Sequence, residues 1–157
     1  MTMWRPLQQI RATVIGLAWR GDRLLAAEVR DDGGRLMGVR PLGGGIAFGE
    51  TREQALIREF QEELGCDVTI TGPWSVFENI FRHEGALGHE IVFAADLRLH
   101  DATLYERDVI LFREDDGAPC TARWFRPDIL DAGVSLYPEG LAAALETRPR
   151  LGAPTKP

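Results

Sequence analysis

A mixed α/β (α+β) fold in one domain is what the sequence predicts, and three observations carry that expectation. The chain has 157 residues, of which 45% are apolar, enough for one buried core. Strand-like and helix-like segments alternate, and no internal repeat, low-complexity tract or long linker divides them. The expected domain is the whole chain, 1–157, with a core over about 10–147 and a frayed tail over 148–157.

The run from Ile10 to Trp19 is rich in strand formers, and Gly21-Asp22 separates it from a second run, Arg23 to Val29, as in a hairpin. Asp31-Asp32-Gly33-Gly34 signals another turn before a short stretch, Arg35 to Arg40, and a glycine-rich loop from Pro41 to Glu50. A helix follows. Thr51 supplies an N-cap side chain and Gln54, three residues on, completes a capping box. Ala55, Leu56, Phe60 and Leu64 form its apolar stripe, and Gly65 ends it. Beyond it, Asp67 to Thr71, Trp74 to Phe81, Gly88 to Leu99, Arg107 to Phe112 and Thr121 to Phe125 read as strands, interrupted by Pro73 and by Gly85-Ala-Leu-Gly88. Pro127 to Ala132 reads as a short helix and Pro138 to Glu146 as a last one, with proline in its first turn.

Eighteen basic residues against 24 acidic ones leave a net charge of −6, which argues against a nucleic-acid duplex or an anionic membrane as partner. The two cysteines, Cys66 and Cys120, suggest neither a disulfide framework nor zinc, and a reducing cytoplasm is expected. The apolar run Val14 to Trp19 is far too short for a membrane span. An acidic protein can still handle phosphates if divalent cations mediate, so the placement of the acidic residues matters.

Within the first helix, Glu59, Glu62 and Glu63 stand at i, i+3 and i+4, a spacing at which like charges repel and a counterion stabilises them. Oxygen donors without neighbouring His or Cys favour Mg2+, or Mn2+. An exposed acidic helix face is the plainer explanation for glutamates alone. No Gly-Lys-Ser/Thr follows the glycines, so they do not form a P-loop, and Gly43-Gly44-Gly45 alone would be only a tight turn.

The spacing Gly44, five residues, Glu50, seven residues, Arg58-Glu59-Phe60, one residue, Glu62-Glu63, one residue, Gly65-Cys66 matches the Nudix signature at every fixed position. A chance match is expected less than about once in a million chains of ordinary composition. The chain thus resembles a Nudix hydrolase, from the motif itself to the order of strands over most of residues 10–147. The resemblance implies an α/β/α sandwich with a mixed sheet and a loop-helix-loop catalytic motif. It also implies metal-dependent hydrolysis of a pyrophosphate bond in a small nucleotide-type substrate, a nucleoside diphosphate linked to a further moiety.

By position, the resemblance makes Glu59, Glu62 and Glu63 metal ligands, with the Gly43 carbonyl as a further one. Glu50 and Arg58 become an ion pair that orients them, and Gly44, Gly45 and Glu90 become candidate substrate contacts. For the general base Glu62, Glu90, Glu106 and Glu114 all qualify, and Glu62 is preferred. Leu42 stands where many members have proline, and Ala47 where an acidic residue is frequent; neither removes a ligand. Glu78-Asn79 and Gly88-His89-Glu90 flank sheet segments and could face the cleft or solvent. His83 and His89 lack a metal-ligand spacing. Trp19, Trp74 and Trp124 are core aromatics first and stacking platforms second, Cys66 is a small buried hydrophobe, and Arg113 to Gly117 is a solvated turn. A nucleotide-binding or regulatory module without turnover is the alternative reading, and a structural cation-binding protein a third. An exposed sheet edge or apolar patch could make a homodimer.

Overall fold

A computed structural model describes residues 3–148. Its centre is a parallel pair, β1 (Ile10–Arg20) and β7 (Ala86–Leu99), in register from Ile10 opposite His89 to Ala18 opposite Leu97. Two more strands, β5 (Val68–Ile70) and β6 (Ser75–His83), run antiparallel to β7, and the glycine strand β4 (Gly43–Gly45) runs antiparallel to β1 with Val14 opposite Gly44. The sheet then curls through the β1 turn into β2 (Arg23–Arg30), which is flanked by β3 (Leu36–Arg40) and β9 (Pro119–Phe125). β8 (Val109–Arg113) pairs with β9, and β10 (Ser135–Leu136) lies parallel to β3.

Alternation along β1 builds two cores. Val14 and Ala18 pack with Ala55, Leu56 and Phe60 of helix α1 (Arg52–Leu64). Ile15 and Leu17 pack with Val92, Ala94 and, from helix α3 (Leu141–Glu146), Leu141. A mixed sheet with helix on both sides is therefore present, as the sequence predicts. Each fully buried Leu or Phe of these layers contributes about 1.5–3 kcal/mol of transfer free energy. Gly16 lies where a Cβ would run into Leu97 and the Phe60 ring, so its lack of a side chain lets α1 sit close against β1.

The α1 boundaries follow the local chemistry read from the sequence. Gln54 N–H donates to Thr51 Oγ1 at 3.1 Å and Thr51 N–H donates to Gln54 Oε1 at 2.9 Å, a reciprocal cap that stabilises by about 1 kcal/mol. Gly65 takes the left-handed conformation at φ 60° and donates to the Gln61 carbonyl.

Elsewhere the structure corrects the sequence reading. Pro127 to Ala132 forms turns rather than a helix; Arg126 pairs with Asp128 and Ile129 is exposed, so the segment has no apolar stripe to hold a helix down. The last helix begins only at Leu141, after a cis Tyr137–Pro138 bond and Gly140 at φ 90°, so the proline precedes it. β7 starts at Ala86, inside the expected interruption, because the turn falls at Glu84-Gly85 and Gly88 gives its side-chain space to the Phe81 ring. A short helix, α2 (Ala102–Glu106), and β10 were not expected. Of the tail expected over 148–157, Arg148 is held by Asp96 at 2.8 Å, and the residues from Pro149 onward lie outside the described residues. Among the described residues no helix is long and apolar enough to cross a membrane.

Candidate functional site

The site is assembled from α1, the loop before it, and the β8–β9 hairpin. Arg58 is its hub. The guanidinium donates to both Glu50 oxygens, at 2.7 and 3.0 Å, to Glu59 Oε1 at 3.0 Å, to Glu62 Oε2 at 3.1 Å and to the Gly45 carbonyl at 2.9 Å. Glu50 is fixed in turn by the Ala47 N–H at 2.9 Å, and these bonds hold its carboxyl below the usual range. One side chain thus ties the loop to the helix and orients two further carboxylates. Phe48, at the tip of that loop, is wholly exposed.

Helical geometry then separates the glutamates by burial. Glu59 and Glu63, one turn apart, are buried, while the Glu62 side chain is 46% exposed. Gly44 has a physical reason to be glycine, since a Cβ there would enter the Glu59 carboxylate. At Gly43 a Cβ would collide with the Val14 carbonyl, so the strand itself excludes side chains.

Glu63 is the outlier. Its Oε2 is shut off from solvent and has no hydrogen-bond partner among the described residues. Burial pushes its carboxyl up to about 9, with further repulsion from Glu114, Glu59, Asp115 and Glu62. Burial raises Glu59 as well, despite Arg58. Glu114 is also raised, first by desolvation and then by Asp115 and Asp116, although its residue surface remains open to solvent on the hairpin.

Oxygens from Glu59, Glu62 and Asp115 lie within 4.8 Å of one another, close enough to share a cation. Asp115 was not singled out by the sequence; within Arg113-Glu-Asp-Asp-Gly117 it looks like any turn acid, and only the β8–β9 pairing brings it to α1. Glu114 comes to the cluster by the same route.

The other sequence candidates separate from this cluster. Glu90 is buried on β7, with Arg40 Nη1 at 3.2 Å, Arg11 Nη1 at 3.9 Å and Asn79 Nδ2 at 3.4 Å. Glu106 is exposed at the end of α2, and Glu78 is exposed on β6. His83 meets Trp4 edge-on, and His89 Nε2 is buried without a partner among the described residues. Each tryptophan is engaged: Trp19 Nε1 donates to Asp96, Trp124 Nε1 donates to the Arg107 carbonyl, and Trp74 lies under Arg52. Cys66 is buried, as expected for a small hydrophobe. An open groove of about 550 Å3 is lined by Trp19, Asp96, His100 and Tyr105 among others and includes none of the clustered acids. Its Asp96 carboxylate is paired with Arg148 at 2.8 Å, so chemistry points to the carboxylate cluster rather than to this groove.

Comparison with known proteins agrees with this architecture. Solved structures that share the fold include a MutT NUDIX hydrolase from Burkholderia pseudomallei, at 21% identity and TM-score 0.53, covering 78% of this chain and 88% of that one. An ADP-ribose pyrophosphatase from Streptococcus suis 89-1591 matches at 15% identity and TM-score 0.53, covering 87% of each chain. No curated protein is similar enough to count as a match. The NUDIX domain model matches residues 9–143, and the chain therefore belongs to the NUDIX domain family.

Proposed function

We propose that this chain is a divalent-metal-dependent pyrophosphohydrolase acting on a small nucleotide-type substrate. The observation that carries the reading is Glu63: a buried carboxylate oxygen without a partner among the described residues, within repelling reach of Glu59, Glu62 and Asp115. An orphaned buried oxygen costs about 1–3 kcal/mol or more, so the residues fit a bound cation. All donors are hard oxygens, which suits Mg2+ or Mn2+.

Glu59, Glu62, Glu63 and Asp115 would hold the metal, with the Gly43 carbonyl as the further ligand that the family resemblance implies. When bound, the metal would neutralise phosphate oxygens and make a coordinated water more acidic. The remaining work falls to the chain's own residues. Arg58, locked by Glu50, keeps Glu59 and Glu62 from splaying under mutual repulsion. Gly44 leaves the Glu59 carboxylate its space. Gly44 and Gly45 also let substrate oxygens approach the backbone closely.

For the proton of the attacking water, Glu114 is a stronger candidate than Glu62. Glu62 Oε2 is shared with Arg58, whereas Glu114 makes no ion pair among the described residues and its carboxyl is raised by desolvation, which makes it the stronger base. Neither Glu90 nor Glu106 has that placement.

The testing experiment measures release of nucleoside monophosphate from nucleotide sugars including ADP-ribose, dinucleotides and nucleoside triphosphates, with Mg2+ and with chelator. The expected result is turnover on at least one class that chelator abolishes. Binding without turnover across the panel would instead support a sensor module.

A further inference from the structure

Arg11 on β1 and Arg40 at the end of β3 converge on Glu90, whose side chain is only 4% exposed, while their own side chains are 35% and 28% exposed. Two cations face one carboxylate, and their bonding is incomplete. Arg40 makes one close contact to Glu90, at 3.2 Å, and a long one to Thr13 Oγ1, at 3.5 Å. Arg11 donates no hydrogen bond among the described residues; its nearest carboxylate oxygen is 3.9 Å away. A guanidinium carries five N–H donors in a fixed fork that matches phosphate, and half-buried donors left without acceptors are costly. Arg58 shows the contrast, with every direction of its fork bonded.

The pair also lies next to the carboxylate cluster. Arg11 Nη2 reaches within 3.3 Å of where a Gly45 Cβ would stand, and the Gly45 carbonyl accepts from Arg58. Arg40 is close enough to Glu114 to act on its charge. Buried Asn79 supports the arrangement from behind, donating to Glu90 at 3.4 Å and accepting from the Glu139 N–H at 3.3 Å.

We propose that Arg11 and Arg40, held together by Glu90, form an anion-binding pair that grips the phosphoryl group of the substrate lying away from the carboxylate cluster. This rests on the reading of a diphosphate substrate. Glu90 is then a positioning residue, too enclosed to touch the ligand itself. The division of labour is physical: carboxylates and their cation take one phosphate, and guanidinium groups take the other.

Calorimetric titration with inorganic pyrophosphate in Mg2+ buffer tests this, on the wild type, Arg11→Gln, Arg11→Lys and Arg40→Gln. Wild-type binding should weaken about 10-fold or more in Arg11→Gln and Arg40→Gln, with a shallower salt dependence, and Arg11→Lys should recover part of it. Arg40→Gln leaves Glu90 buried with a poorer partner and could unfold; Arg11→Gln breaks only the looser contact, and an unchanged thermal midpoint shows that its loss of binding is not a folding defect. Equal affinity in wild type and Arg11→Gln, or no pyrophosphate binding by the wild type, overturns the proposal. Turnover separates the two readings: binding that the arginine variants lose, without hydrolysis of any substrate, leaves the anion pair standing and sinks the enzyme, whereas hydrolysis with unchanged KM in Arg11→Gln does the reverse.

Discussion

Glu28 and Glu63 are both carboxylates drawn out of solvent, and the protein treats them in opposite ways. Burial alone would raise Glu28, but bonds from Arg30 at 2.7 Å and Arg123 at 2.9 Å outweigh it and hold the carboxyl below its ordinary value. Glu63 has burial and four acidic neighbours, no cation, and a carboxyl pushed up to about 9. One region is satisfied as it stands, and the other can carry its charge at neutral pH only with a partner that the chain does not supply. Such local conflict in an otherwise consistent structure is the physical mark of a functional site.

The largest expected effect comes from removing the unpartnered carboxyl. Glu63→Gln should lower kcat by about 100-fold or more, as when a group stabilising transition-state charge is lost, while the metal-free protein melts no lower than wild type. A normal rate in this variant would mean that the carboxylate is a spectator. Next is Gly44→Ala, whose Cβ must displace the Glu59 carboxylate. Its kcat should fall by about 10- to 100-fold, the range seen when a ligand's support is disturbed, and circular dichroism should report an intact fold.

Titration gives the third contrast. In chelator, native Glu63 keeps a proton up to about 9 that the unfolded chain releases near the ordinary value of 4.5. The native state thus binds more protons between these limits, and stability should fall as pH rises through that window. Saturating Mg2+ should flatten the slope and raise the melting temperature, since at 100 times its dissociation constant a ligand adds about 2.7 kcal/mol. Glu28 and Glu50 act in the opposite sense, because their folded values are lowered: their contribution is present above the ordinary value and is lost as pH falls through the folded one. Melts in chelator across this range measure the balance, and a slope that Glu63→Gln does not reduce would discount the buried carboxyl.

The smallest effect belongs to the satisfied region. Glu28→Gln should cost about 1 kcal/mol, since its arginines are themselves nearly half exposed, and should leave kcat unchanged. A large loss of activity there would erase the distinction between the two regions.

The same contrast explains what could be read from the sequence. Thr51, Gln54, Gly65 and the apolar stripe of α1 act within a few residues of one another, so local chemistry specifies them. Glu59, Glu62 and Glu63 are legible for a similar reason, being spaced along one helix, and Glu50 and Arg58 became legible through the resemblance to the Nudix signature. Glu114 was legible only as one of four candidate bases, and Asp115, Arg11 and Arg40 were not, because strand pairing across the curled sheet brings them to the site and no spacing announces it. Short elements escaped for want of length: α2 and β10 are below the span in which a period shows. At Pro127 a helix-start residue stood without the apolar face that would have made the helix stable.

The central claim is that the crowded carboxylates of α1 and the β8–β9 hairpin await a divalent cation. Calorimetric titration of the wild type and of a Glu59→Gln/Glu63→Gln double variant with Mn2+ alone tests it without any assumption about substrate. The account predicts saturable binding by the wild type, with proton release on binding near neutral pH, and its loss in the folded double variant. Equal binding by both proteins, or none by the wild type, would contradict it.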